Sequence, residues 1–145
     1  MKNKIEIILR TVHLGEARRV VTLDFGKGSS ADHFIARLKR SNPAGFAALH
    51  ARIRSIAARK NYHNPLTFKS LGDGLFEFKT RKTGLRLYAF YDEIPGIEPQ
   101  LIIATSGGDK GSQRADIRKA RELRQRYLDA KLLSDTDIEI RNQEP

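Results

Sequence analysis

The chain contains no cysteine, so disulfides and thiolate metal sites are excluded. That absence fits a reducing compartment. Histidine, aspartate and glutamate nowhere cluster at ligand spacing, so the sequence gives metal binding no support, and no cofactor is expected. Long apolar runs are lacking too: none approaches the ~18 residues of a membrane span. Residues 1–10 begin with lysines and continue Ile-Glu-Ile-Ile-Leu, but the glutamate interrupts a run already too short for a secretory signal. The segment reads as a strand, and the protein as cytoplasmic with no membrane partner. There are no internal repeats and no low-complexity tract.

Acidic residues are scarce relative to basic ones. Lys and Arg number 27 against 17 Asp and Glu, a formal charge of +10. The imbalance is uneven. From Ser134 to Pro145 four acids face one base, a local net of −3, which leaves 26 bases against 13 acids, +13, on residues 1–133. A field of that sign attracts polyanions and speeds their encounter. Phosphate backbones are the usual partner, and such binding weakens steeply with salt. A merely solvated basic surface is the plainer alternative. At 145 residues one domain is enough, and its core can stand without staples.

Alternation of Ile5, Ile7 and Leu9 predicts a strand over Lys4–Val12, and Arg18–Phe25 a second, β-branched one; a turn at His13–Ala17 would make them a hairpin. The Gly26-Lys-Gly-Ser-Ser30 loop lacks both the GxxxxGK[ST] and the GxGxxG spacing, so a flexible link ending in a capping serine is favoured over a phosphate cradle. Ala31, Phe34, Ile35 and Leu38 then recur at helical spacing. Asn42-Pro43 ends that helix and opens another, whose apolar positions Phe46, Leu49, Ile53 and Ile56 run on to about Lys60. Two antiparallel helices are expected. After a loop at Asn61–Pro65, strands are predicted over Leu75–Arg81, Leu85–Asp92 and Gln100–Thr105, separated by Thr83-Gly84 and Pro95-Gly96 turns. A polar loop, Ser106–Ser112, leads to a last helix over Gln113–Lys131, with Ser112 as its cap and Asp116 near its positive end. The acidic tail, residues 134–145, is expected to be mobile, with Asp137–Arg141 as an alternative short strand.

The order β-β-α-α-β-β-β-α implies an α+β fold: a mostly antiparallel twisted sheet with helices on one side, a helical pair in the N-terminal half and a C-terminal helix. Residues 1–133 form the expected single domain.

Specific motifs begin at Phe68. Lys69, Leu71, Gly74, Leu75, Phe76 and Glu77 lead into Lys79 and Arg81; a hairpin brings Leu85, Arg86, Leu87 and Tyr88; Gly107, Gly108, Asp109, Lys110 and Gly111 precede a helix marked by Ser112, Gln113, Asp116, Ile117 and Ala120. In order and spacing this stretch, residues 68–128, resembles the RelE/ParE toxin superfamily, above all its phage-derived HigB-like branch. Residues 61–131 are the best-matched core. Four positions depart from the pattern: Lys79 stands where arginine is usual, Leu85 where a tyrosine precedes the arginine, and Gly108 and Gly111 replace an aromatic residue and a lysine.

The resemblance implies a RelE-like (microbial-RNase-like) fold and the activity of a type II toxin, a metal-independent endoribonuclease cleaving mRNA on the ribosome. Its implied partners are mRNA, the ribosome and a cognate antitoxin, a small helix-turn-helix protein. Such cleavage needs a base for the 2′-hydroxyl, cations for the phosphorane and an acid for the 5′-oxygen. Arginine suits the second task, because its planar fork matches two phosphate oxygens and never loses charge. Arg86, read as a mid-strand residue, is the leading carried-over candidate, with Arg81, Lys79 and Lys110 as further cations. Alternation would put Lys79 and Arg81 on one face. Lys82, Arg114, Arg118 and Lys119 are candidate nucleic-acid contacts. The general base stays open: Glu77 is otherwise an ion-pair partner, Tyr127 otherwise core, and His63 is the histidine worth testing, since His13, His33 and His50 read as surface or core residues. The alternatives are a ParE-like gyrase poison without enzymatic activity and a basic RNA-binding domain whose catalysis has lapsed.

Overall fold

The computed structural model describes residues 5–60, 62, 64 and 66–142. Seven strands form one sheet: β1 (Ile5–Leu14), β2 (Arg18–Asp24), β3 (Phe68–Gly72), β4 (Leu75–Lys79), β5 (Arg86–Asp92), β6 (Gln100–Gly108) and β7 (Thr136–Asn142). Three α-helices accompany it: α1 (Ser30–Ser41), α2 (Pro43–Ala57) and α3 (Gln113–Lys131). The strand order is β3-β4-β5-β6-β2-β1-β7. The fold is α+β with a mixed sheet. The C-terminal strands pair antiparallel as expected, but β2–β6 and β1–β7 run parallel.

The helices form where the sequence places them, for the expected local reasons. The Ser29 side chain accepts the Asp32 amide at 3.2 Å, and that of Asn42 accepts the Gly45 amide at 3.0 Å, each satisfying a donor the helix leaves unpaired. Ala31, Phe34, Ile35 and Leu38 are the buried stripe of α1. Ser112 does precede α3, but its hydroxyl binds Asp116 instead of capping the helix, and Asp109 caps the short 3-10 turn at Lys110–Ser112.

Four expectations are corrected. Helices cover both faces of the sheet, not one. Alternate residues of β6 divide between two cores, with Ile102 and Ala104 packed among α1 and α2 side chains and Leu101 and Ile103 among those of α3. A strand crossing the middle of a seven-stranded sheet has two apolar faces to bury, and one helical layer can cover only one of them. The helical pair also does not lead the fold, since β1 and β2 precede it, and it is not antiparallel. The start of α1 packs Phe34 against Gly107 at one end of the sheet, whereas the end of α2 packs Ala57 against Gly15 at the other. The Ser106–Gly108 part of the expected loop is strand, because it pairs with the start of β5.

Finally, the acidic tail is not mobile over Thr136–Asn142. It forms β7, parallel to β1, with Ile138 and Ile140 turned toward the α3-side core. Strand β3 went unpredicted because its burial is slight and its pairing rests on a tight turn, where Gly72, Asp73 and Gly74 all take positive φ.

Candidate nucleic-acid interface

Strand direction decides which loops meet. Strands β2 and β6 are parallel, β5 is antiparallel to β6, and β4 is antiparallel to β5. The loop after β2, the connection from β6 to α3 and the turn from β4 to β5 therefore open at the same end of the sheet. Helices α1 and α3 both begin there, so their positive dipole ends add to the field. Open sheets commonly bind ligands at the carboxyl ends of their parallel strands.

The expected cations gather at this end. Lys79 lies opposite Arg86, and Arg86 opposite Gly108. Lys110, exposed, follows two residues later. Arg81 and Lys82 are exposed in the β4–β5 turn. Arg114, on the first turn of α3, is exposed there too, while Arg118 and Lys119 are exposed further along the helix. Strand β4 stops at Lys79, so Arg81 does not continue its alternation onto the same face as Lys79. The Thr80 hydroxyl accepts the Leu85 amide at 2.9 Å and Gly84 takes φ +65°, closing the turn and pushing Arg81 and Lys82 to its tip.

Arg86 is different from the others. It is the first residue of β5, not mid-strand, and is 7% exposed. Its Nε lies 3.6 Å from Glu77 Oε2, and its Nη1 donates to the Gly84 carbonyl at 3.1 Å. Glu77, 1% exposed, is the ion-pair partner the alternation allowed. Beside them on the α3 face stands Tyr88, directly opposite Glu77 in the β4–β5 register, fully buried and packed with Ala120 and Ile117. Burial, then the neighbouring Glu77 carboxylate, pushes its phenol far above the ordinary range, so it stays neutral. Glu77 Oε2, Arg86 Nε and the Tyr88 hydroxyl are all buried without a hydrogen-bond partner. Nothing in the sequence marked Tyr88 as part of this polar cluster, because a strand tyrosine is ordinarily core.

Tyr127 is core. It is fully buried beside Phe90 and donates to Asp92, which also pairs with Lys131 at 2.8 Å. Burial and that carboxylate hold its phenol protonated. His63 lies outside the described residues. His13 and His50 pack edge to face, 6.0 Å between ring centres, and His13 stands near the β1–β2 turn at the opposite end of the sheet. His33, set aside as a surface residue, is exposed in the first turns of α1 beside Gly28, at the cationic end.

No family model, curated protein or solved structure matches the chain. The site is therefore read from its own chemistry.

The glycine loop is not a phosphate cradle. The Gly26 and Gly28 amides donate to Asp24 Oδ1 at 2.6 and 3.0 Å, so the donors a phosphate would need are taken. Of the two departures at the β6–α3 connection, Gly108 has a packing reason. A Cβ at Gly108 would fall 2.0 Å from Asp116 Oδ2 and 2.5 Å from Ser112 Oγ, because the first turn of α3 rests on that glycine. A larger side chain at position 108 requires Asp116 and Ser112 to turn away. Among the described residues no three His, Asp or Glu side chains are placed to hold a metal ion, and no helix is long and apolar enough to cross a membrane.

Proposed function

We propose that this chain is a RelE/HigB-type toxin, an endoribonuclease that cuts mRNA on the ribosome and is restrained by a cognate antitoxin. One observation carries the reading: Lys79, Arg81, Lys82, Arg86 and Lys110, drawn from three separate segments, meet at one end of the sheet. The RelE-like fold is part of the proposal. Support comes from the arrangement of β2, α1, α2, the antiparallel run β4–β6 and α3 around the parallel β2–β6 ladder.

The chemistry is transesterification. The 2′-oxygen bonds to phosphorus as its proton passes to a base; the P–O5′ bond breaks, and the departing oxygen takes a proton from an acid. The products are a 2′,3′-cyclic phosphate and a 5′-hydroxyl. Ammonium and guanidinium groups stabilise the dianionic phosphorane. Lys110 and Arg81 are free to touch phosphate, whereas Arg86 acts from beneath, through the field it sets with Glu77. His33, exposed at the start of α1 at this end of the sheet, is the best-placed histidine for the proton step.

The burial of Arg86 favours a second reading, a basic RNA-binding domain without catalysis. Mapping transcript 5′ ends after induction in a bacterium separates the two. Cuts within translated codons, lost on Lys110→Ala and Arg81→Ala, are the expected result. Intact transcripts with salt-sensitive RNA binding would leave only the second reading. Intact transcripts with altered DNA supercoiling would replace both with a gyrase poison.

A further inference from the structure

A cleft of about 580 Å³ opens between α2 and the β4–β5 turn, lined by Ala48, Arg52, Thr80, Arg81, Lys82 and Thr83. Ala48 and Arg52 are one helical turn apart, on the same flank of α2. The buried stripe of that helix, Leu49, Ile53 and Ile56, fixes how the flank faces the turn. The approach is close because residue 45 is glycine: a Cβ there would lie 2.9 Å from Leu85 Cδ1. Helix α2 is thereby docked on the strand that follows the turn, and Arg52 is delivered beside Arg81 and Lys82. Among the described residues none of these three cations forms an ion pair with a carboxylate. Three like charges around one hollow repel each other, so the arrangement is relieved by an anion.

We infer that this cleft is a second phosphate-binding site, in which Arg52 and Lys82, with Arg81 shared with the cleavage site, hold the phosphodiester next to the one that is cut. The inference rests on the proposed RNA-directed function and adds a path. Lys110 and Arg114 belong to the α3 side of the sheet end, and Arg52 to the α2 side, with the β4–β5 turn between them. A strand engaging both crosses the end of the sheet from one helical layer to the other. Arg52 supplies the planar fork suited to two phosphate oxygens. It lies outside the stretch whose motifs pointed to RNA, and only the docking of α2 brings it there.

The test is binding of the full chain to a single-stranded 2′-O-methyl RNA of about 12 nucleotides, which cannot be cut, followed by fluorescence anisotropy across a salt series. Arg52→Gln is expected to weaken binding several-fold and lower the slope of log K against log salt by about 0.7, one phosphate contact on a single strand. Arg52→Lys restores the slope while regaining only part of the affinity. Arg59→Gln, just past the C-terminal end of α2 and outside the cleft lining, removes the same charge and leaves the slope unchanged. Arg52→Gln curves that superimpose on the parent at every salt concentration would overturn the inference, as would an equal loss in Arg59→Gln, which reports net charge alone. Should Arg52→Gln melt early, Lys82→Gln, at an exposed turn position, carries the same expectation. A parent chain that does not bind the RNA at all would instead sink the proposed function.

Discussion

Arg86 Nε and Glu77 Oε2 face each other at 3.6 Å on the α3 face of the sheet, both side chains almost wholly buried. The separation is an ion-pair contact rather than a hydrogen bond, and each atom lacks another partner. Removing one member strands the other charge in a poorly solvated place. Arg86→Ala is therefore expected to cost ~3–5 kcal/mol, and loss of cleavage in that variant would not by itself reveal a chemical role. The paired replacement Arg86→Met with Glu77→Leu recovers most of that stability in urea titrations. If the refolded pair variant still cuts RNA at the parental rate, Arg86 has no part in the reaction.

Gly107 and Gly108 separate two kinds of crowding. A Cβ at Gly107 would meet the Phe34 ring at 2.4 Å and the Arg86 carbonyl at 2.9 Å, neither of which can move freely. Gly107→Ala is expected to destabilise by ~1–3 kcal/mol. At Gly108 the obstacles are the ends of Asp116 and Ser112, which can rotate toward water. Gly108→Ala should lose less stability, chiefly the Ser112–Asp116 hydrogen bond. Equal losses in thermal melts would contradict the placement of α1 and α3 on opposite sides of these neighbours.

Asp24 organises the loop after β2. Burial works against its charge, but the Arg10 guanidinium and the Gly26 and Gly28 amides outweigh that and hold its carboxyl below the usual range. A depressed folded-state pKa gives stability that is present above the unfolded value, near 3.8, and lost as pH falls through the folded value. Asp24→Asn should cost ~1.5–3 kcal/mol at neutral pH, the worth of hydrogen bonds to a charged group. It should also flatten the acid limb below about pH 4. An unchanged acid limb would mean that other carboxylates set it.

His13 and His50 give the opposite region of pH. Burial first, then the nearby Arg54, lowers both imidazole pKa values, and for His50 the neighbouring His13 and Lys39 add to the effect. The unfolded chain then binds protons more readily than the folded one. Stability is complete above the unfolded value of 6.5 and declines as pH falls below it. His50→Gln is expected to shrink the decline between about pH 7 and pH 5. An undiminished decline in urea titrations across that range would mean that other groups set it.

The helices were legible because their signals are local. Ser29, Asn42 and Pro43 act on the backbone within a few residues, and the spacing of Phe34, Ile35 and Leu38 is a property of the segment alone. The hairpin of β4 and β5 was legible for the same reason, as Thr83-Gly84 leaves the chain no other course. Strand β7 was visible only as an alternative, since its alternation acquires meaning when β1 is beside it.

Sequence alone determined that the chain carries excess positive charge, holds no cysteine and has apolar periods suited to a layered α+β domain. Tertiary structure decided where that charge acts. The parallel pairing of β2 with β6, which no local pattern encodes, brings the β2, β4 and β6 exits to one end. It also decided that Arg86 is neutralised by Glu77 while Arg52, unremarkable in the sequence, stands with Arg81 and Lys82. Charge is a sum over residues, but a binding surface depends on which residues the long-range pairing leaves side by side and in reach of water.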